Sequence, residues 1–231
     1  MAVLKRIAIL FLAQILLMNT KNNRINYSAS NSYSTLNELT EETKNIWLVF
    51  HGLGYLSRYF IAYFKYLNPK ENYIIAPQAP SKYYQDKSFK NIGACWLTRE
   101  DTQEEINNIL NYIDAIYEKE IVEKNKNLIL MGYSQGVSIA TRWLAHKKAS
   151  ISKLIIHSGS VPKELKSSDF DFLDKNIPIL YLYGINDPYI KDDLIEKETA
   201  FSKKIFGDRY KIKTFDGVHE VHIDSLIEFS K

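Results

Sequence analysis

Leu128-Ile129-Leu130-Met131-Gly132-Tyr133-Ser134-Gln135-Gly136-Val137 runs without a break from an apolar segment into a glycine-flanked serine, and then into a helix-like stretch that reaches Lys147. The pattern Gly-x-Ser-x-Gly between a strand and a helix is chemically specific. The turn holds its central residue in a strained backbone conformation, which is tolerable only where the flanking positions carry almost no side chain. Such a turn lifts the Ser134 hydroxyl above the C-terminal edge of a sheet. It also leaves the backbone N–H of Gln135 at a helix N-terminus, where an oxyanion would be stabilised.

The surrounding sequence repeats the strand-then-helix alternation. Short β-rich runs occur at Ile46 to His51, Tyr73 to Ala76, Leu128 to Tyr133, Lys153 to His157, Ile177 to Tyr183 and Arg209 to Phe215, and several of them are continuously apolar, as expected of strands buried on both faces. Between them, Ile106, Ile109, Leu110, Ile113, Ile116 and Tyr117 fall at helical spacing behind a candidate capping box, Thr102-x-x-Glu105. Val137, Ile139, Ala140, Trp143 and Leu144 form one face of the helix after Ser134, and Arg58 to Leu67 and Asp192 to Phe206 read as two more, the latter with Asp192 and Asp193 at its start. Residues 77–100 contain Pro77, Pro80 and Gly93 with little periodicity, which predicts a long surface connection bordering a pocket. The expected fold class is α/β, a mostly parallel central sheet with helices on both faces.

A chain of 231 residues suffices for one well-filled domain and leaves no room for a large cap domain. A charged fraction of 25% and a net charge of +3 describe an ordinary globular surface and give no footprint for nucleic acid. The single cysteine, Cys95, excludes an intramolecular disulfide and a cysteine-based zinc site, and reads as a space-filling residue. Residues 1–20 stand apart from the expected domain at 21–231. Lys5 and Arg6 precede the apolar stretch Ile7 to Met18, which is interrupted only by Gln14 and is too short to span a bilayer comfortably. Two readings fit: a signal peptide, which would make the protein exported, or an over-extended translation start with Met18 as initiator, which would make it cytoplasmic.

A serine nucleophile requires a base, and the base requires an acceptor that fixes its tautomer. In such sheets these groups follow later strands, in the order serine, acid, histidine. Asp187, in Gly184-Ile185-Asn186-Asp187-Pro188 just past a strand, is the best acid, with an Asx-turn as its purely structural role. Asp216 is a weaker alternative. His219, in Asp216-Gly217-Val218-His219-Glu220, is the best base. Its rival His222 is expected about a turn into the terminal helix and facing solvent, while His157 borders the site and His146 sits on a helix surface. His51-Gly52-Leu53-Gly54 follows another strand, so a second oxyanion N–H is expected from Leu53, with His51 orienting the loop.

Taken together, His51-Gly52-Leu53-Gly54, Ala76-Pro77-Gln78-Ala79-Pro80, Gly93-Ala94-Cys95-Trp96, Gly132-Tyr133-Ser134-Gln135-Gly136, Ser158-Gly159 and the Asp187 and His219 turns make the chain resemble the lidless α/β-hydrolases of the phospholipase/carboxylesterase and acyl-protein thioesterase group. The resemblance covers roughly residues 45 to 225. It implies a triad of Ser134, Asp187 and His219, oxyanion N–H groups from Leu53 and Gln135, and a substrate pocket bordered by Gly52, Trp96 and Ser158. It also implies a small-molecule or protein-borne acyl substrate, with no metal or organic cofactor. Tyr55, Val137 and Thr98-Arg99-Glu100-Asp101 depart from the better-known members and bring the chain closer to small uncharacterised bacterial esterases. The expected activity is hydrolysis of carboxylic esters or acyl thioesters. The alternatives are an acyltransferase or peptidase on the same scaffold, or a binding protein that has kept the fold without catalysis.

Overall fold

The computed structural model describes residues 21–121 and 125–231. The chain divides into two units, Met1–Ser30 and Asn31–Lys231. Residues 21–30 of the first carry no regular structure. The second unit starts at Asn31. Both readings of the N-terminal apolar stretch concern residues outside those described. Among the described residues, no helix is long and apolar enough to cross a membrane.

The second unit is built on a seven-stranded sheet of order β1-β3-β2-β6-β7-β8-β9. Its strands are β1 (Tyr33–Leu36), β2 (Asn45–Phe50), β3 (Asn72–Pro77), β6 (Asn127–Tyr133), β7 (Lys153–His157), β8 (Ile179–Gly184) and β9 (Tyr210–Phe215). Only β1, at one edge, runs antiparallel to its neighbour. The helices are α1 (Ser57–Phe60), α2 (Thr102–Glu120), α3 (Gln135–Lys147), α4 (Asp192–Phe206) and α5 (Ile223–Phe229).

The alternation of side chains along β2 divides the core. Ile46, Leu48 and Phe50 pack into one layer with Ile109 and Ile113 of α2, Trp143 and Leu144 of α3, and Phe206 of α4. Trp47 and Val49 face the other layer, with Phe60, Phe64, Leu226 and Phe229. Both faces of the central strands are therefore covered, which is why their sequences read as continuous apolar runs rather than alternating ones.

Three local expectations need correction. Residues 77–100 are not a plain connection: β4 (Ser81–Tyr84) and β5 (Ile92–Cys95) pair antiparallel as a separate two-stranded sheet. Every residue of β4 is exposed, so the period-2 signal of a half-buried strand is missing. The segment from Arg58 to Leu67 is one helical turn followed by a 3-10 stretch, Ile61–Tyr66. The capping box does not form, because Thr102 already lies inside α2 and its hydroxyl donates back to the Thr98 carbonyl at 2.9 Å.

Candidate active site

The strand register sets the site. Phe50 pairs with Gly132, Tyr133 with His157, His157 with Leu182, and Gly184 with Phe215, so four neighbouring strands of the sheet and β9 end nearly level. The segments that leave this edge carry His51, Ser134, Ser158, Asp187 and His219.

Ser134 joins β6 to α3 with φ 52° and ψ −119°, a left-handed conformation that costs a non-glycine residue about 1–3 kcal/mol. The neighbours that hold it there explain both glycines of the motif. A Cβ on Gly132 would run into the Val137 backbone, and one on Gly136 into the Phe50 carbonyl, so any larger residue would force the turn off the sheet. The Ser134 N–H is tied to the His157 carbonyl at 2.8 Å.

The turns after β8 and β9 are bound side by side. Ile185 N–H donates to Phe215 O at 2.9 Å, Asn186 N–H to Gly217 O at 3.0 Å, and the Asn186 side-chain amide to Asp216 Oδ1 at 3.1 Å. Asp216 thus braces the turns from an exposed position. Asp187 and His219 meet across this junction: His219 Nδ1 lies 2.6 Å from Asp187 Oδ2, and His219 Nε2 lies 3.0 Å from Ser134 Oγ. The Asp187 side chain is fully buried, and its second oxygen accepts the Tyr189 N–H at 2.9 Å. It therefore fills the Asx-turn role and also contacts the histidine. Since a carboxylate only accepts, Nδ1 of His219 carries the hydrogen, which leaves Nε2 as an acceptor facing the serine hydroxyl. Tyr133 donates to the His219 carbonyl at 2.9 Å, and the Tyr189 ring sits edge-on to the imidazole at 4.9 Å.

The other expected site residues divide between the cavity and its support. A cavity of about 430 Å³ is lined by Leu53, Ser134, Ser158, Gly159, Tyr189 and His219, with Tyr181, Ile190 and Leu194 among the remaining walls. Gly52 lies behind Ser134, where a Cβ would approach the serine Cβ at 3.1 Å. Among the described residues, the N–H groups of Leu53 and Gln135 make no hydrogen bond, whereas the neighbouring Gly54 N–H is taken by the Ala94 carbonyl at 2.9 Å. Trp96 does not line the cavity. It is 1% exposed, donates its indole N–H to the His51 carbonyl at 2.8 Å, and packs against Phe50 and His51 from below, so it supports the loop instead. The Gln135 side chain fastens the same segment, accepting the Trp96 N–H at 3.0 Å and donating to the Leu97 carbonyl at 2.9 Å.

Two histidines are buried as structural groups. His51 accepts the Ala79 N–H on Nε2 at 3.1 Å and so donates from Nδ1 to the Gly52 carbonyl at 2.8 Å. This contact links the Ala76–Pro80 segment to the loop after β2. His157 accepts the His222 N–H on Nε2 at 3.2 Å, so its Nδ1–H faces Ser158 Oγ at 3.1 Å, and the Ser158 hydroxyl hydrogen remains available to the cavity. Burial drives both imidazoles down, to about 4 for His51 and about 3 for His157, and keeps them neutral.

His222 is not out in solvent as expected. It is half-buried at the N-cap of α5, stacked on Phe215 at 4.3 Å and 2.9 Å from Ser225 Oγ, because Phe215 ends β9 directly beneath it. Glu198 had no distinguishing sequence signal. This buried carboxylate on α4 accepts the Val161 N–H at 2.8 Å and pairs with Lys163 at 3.0 Å, anchoring the loop that carries Ser158 and Gly159.

A mostly parallel sheet covered on both faces, with a strained serine elbow at its C-terminal edge, defines the α/β-hydrolase class. The family model described as Phospholipase/Carboxylesterase matches residues 31–231, and the chain belongs to that family of hydrolases. No curated protein sequence matches the chain. Its structure is similar to that of Zea mays acyl-protein thioesterase 2, at 16% identity over 87% of this chain and 96% of that one with a TM-score of 0.62. It is similar to esterase PE8 at 20% identity over 87% and 98%, TM-score 0.64. The Bacillus cereus carboxylesterase is a third similar structure, at 14% identity over 87% and 92%, TM-score 0.63. At these identities the likeness is one of fold.

Proposed function

We propose that the protein cleaves carboxylic esters or acyl thioesters through an acyl-enzyme on Ser134. The observation that carries this reading is the unbroken hydrogen-bonded line from Asp187 through His219 to Ser134, at 2.6 and 3.0 Å, opening into the cavity. In the reaction, His219 Nε2 takes the Ser134 hydroxyl proton as Oγ attacks the acyl carbonyl. The carbonyl oxygen becomes an oxyanion and accepts hydrogen bonds from the Leu53 and Gln135 N–H groups, both without a partner among the described residues. His219 then gives the proton to the departing alcohol or thiol. A water deprotonated by the same nitrogen attacks the acyl-enzyme, and His219 returns that proton to Ser134 Oγ as the C–O bond breaks and the acid is released. Asp187 holds the ring and stabilises the imidazolium without taking the proton. No step calls for a metal or an organic cofactor.

The acyl chain is assigned to the walls formed by Tyr181, Tyr189, Ile190 and Leu194, a modest apolar lining that suits short acyl groups. A fluorophosphonate probe tests the nucleophile: labelling is expected at Ser134 and should be lost in His219→Ala. Absence of labelling on folded protein would refute the reading and favour a binding role. Rates on p-nitrophenyl esters of increasing chain length test the pocket, and a steady rise beyond about eight carbons would contradict the short-chain assignment.

A further inference from the structure

The two-stranded sheet β4–β5 lies outside the main sheet and contributes nothing to the line from Asp187 to Ser134, yet it grips the loop after β2 on both sides of one residue. Gly54, at φ 86°, gives its N–H to the Ala94 carbonyl of β5 at 2.9 Å and receives on its own carbonyl the side-chain amide of Gln85 at 2.6 Å. The Gln85 N–H in turn closes the hairpin on the Asn91 carbonyl at 2.8 Å. The approach is close enough that a Cβ on Gly93 would meet the Gly54 carbonyl oxygen at 2.8 Å, the Gly54 Cα at 2.9 Å and the Gln85 amide nitrogen at 2.7 Å.

The Gln85 contact bears directly on the plane of a peptide group. The carbonyl held by Gln85 belongs to the residue that follows Leu53, and the Gly54 N–H held by Ala94 belongs to the peptide unit joining Leu53 to Gly54. Both ends of the Gly54 residue are therefore fixed, and the Tyr55 N–H, which shares its peptide unit with the carbonyl that Gln85 holds, donates to the Gly52 carbonyl at 3.3 Å; with His51 Nδ1 on the same oxygen at 2.8 Å, this restrains the peptide unit that carries the Leu53 N–H. On the other flank, Trp96 continues from β5 and holds the His51 carbonyl at 2.8 Å. The loop is thus fastened at residues 51 and 54, on either side of Leu53. Gln85 is exposed, so its amide has water as an alternative partner and is not a buried group that the fold must satisfy.

We propose that the β4–β5 hairpin is a clamp on the oxyanion loop and that Gln85 is a positioning residue, acting through the Gly54 carbonyl to hold the Leu53 N–H where the oxyanion develops. This rests on the reading of Leu53 as an oxyanion donor. Preorganised donors stabilise the transition state only while their direction is fixed, and a displacement of about 1 Å in such a site costs up to roughly 100-fold.

The test compares Gln85→Ala, Gln85→Lys and Gly93→Ala with the unaltered protein. The readouts are kcat and KM on a short p-nitrophenyl ester, thermal stability, and inhibition by a trifluoromethyl ketone, which forms a tetrahedral oxyanion adduct on an activated serine. Gln85→Ala is expected to lower kcat by about 10- to 100-fold with KM within about twofold. The ketone inhibition constant should weaken by the same factor as kcat/KM, while the melting temperature stays close to that of the parent. Gln85→Lys, which restores an N–H donor of similar reach, should recover most of the rate. Gly93→Ala, which pushes the hairpin off from the other side, should reproduce the loss. If the ketone binds the parent but Gln85→Ala leaves both kcat and the inhibition constant unchanged, the clamp is refuted and the serine mechanism stands. A ketone that fails to inhibit the parent protein refutes the mechanism itself.

Discussion

Replacing Asp187 by Asn separates the chemical role of this residue from its structural one, because the two side chains have the same shape. In the native site Oδ2 accepts the His219 Nδ1–H at 2.6 Å and Oδ1 accepts the Tyr189 N–H at 2.9 Å. An asparagine has one oxygen for these two donors. If its oxygen stays with Tyr189, its amide N–H₂ faces His219 Nδ1, drives the proton to Nε2, and presents an N–H rather than an acceptor to Ser134. If it flips to favour His219, two donors confront one another at Tyr189 in a fully buried position, at about 1–3 kcal/mol. Even in that orientation a neutral oxygen replaces the carboxylate beside the imidazolium, which forfeits roughly 1.5–3 kcal/mol of charge-assisted hydrogen bonding. The sum, about 2.5–6 kcal/mol, corresponds to a fall in kcat of roughly 10²- to 10⁴-fold. Steady-state and burst kinetics on a p-nitrophenyl ester measure it, with KM expected to hold because the Asp187 side chain has no surface in the cavity. The exposed Asp216 is the control, and Asp216→Asn should leave kcat nearly intact. A correctly folded Asp187→Asn variant within tenfold of the parent, or a large loss in Asp216→Asn, would overturn the assignment.

Three further outcomes follow from the same geometry. Ser134→Gly removes the side chain at φ 52° and relieves about 1–3 kcal/mol of strain against a glycine cost of about 0.5–1 kcal/mol. It should therefore melt higher than the parent while losing all ester turnover, and a lower melting temperature would contradict the strain. Gly136→Ala places a methyl against the Phe50 carbonyl and should either fail to accumulate as soluble protein or unfold at far lower urea; native-like stability would mean that the elbow is not packed as described. Acid should destabilise the protein through His51 and His157, whose folded-state values of about 4 and about 3 lie below the ordinary value of 6.5. The unfolded chain binds these protons more tightly, so the stability is fully present above pH 6.5 and is lost as pH falls through 6.5 toward 4. The loss is about 2 kcal/mol per histidine by pH 5. Urea midpoints measured from pH 7 to 5 should fall steeply in the parent and less so in His157→Gln, and parallel slopes would exclude His157 as a source.

What could be read from the sequence depended on whether the physical constraint was local. The Ser134 elbow was legible because the close approach that demands Gly132, against the Val137 backbone, lies within a turn only a few residues long, so sequence spacing carries that geometry, whereas the approach that demands Gly136 comes from Phe50 on the neighbouring strand. Asp187 and His219 were legible for a related reason: each follows a β-rich run by a few residues, and the topology of parallel strands brings those run ends to one edge. Trp96 shows where this reasoning stops. Its place in the motif was visible, but whether its ring faced the cavity or lay under the loop depended on the His51 carbonyl, to which it is bonded across 45 positions. Gln85 left even less trace. It lies one residue past an exposed strand with no hydrophobic period, and its contact with Gly54 spans 31 positions. The tautomer of His157 is fixed by the backbone N–H of His222, a hydrogen bond across 65 positions that neither neighbourhood reveals. Residues that perform bond-making steps must be particular chemical types at strand ends, which restricts the candidates. Residues that aim those groups need only a donor or an acceptor of suitable reach, a condition that many side chains meet, so the folded arrangement alone identifies them.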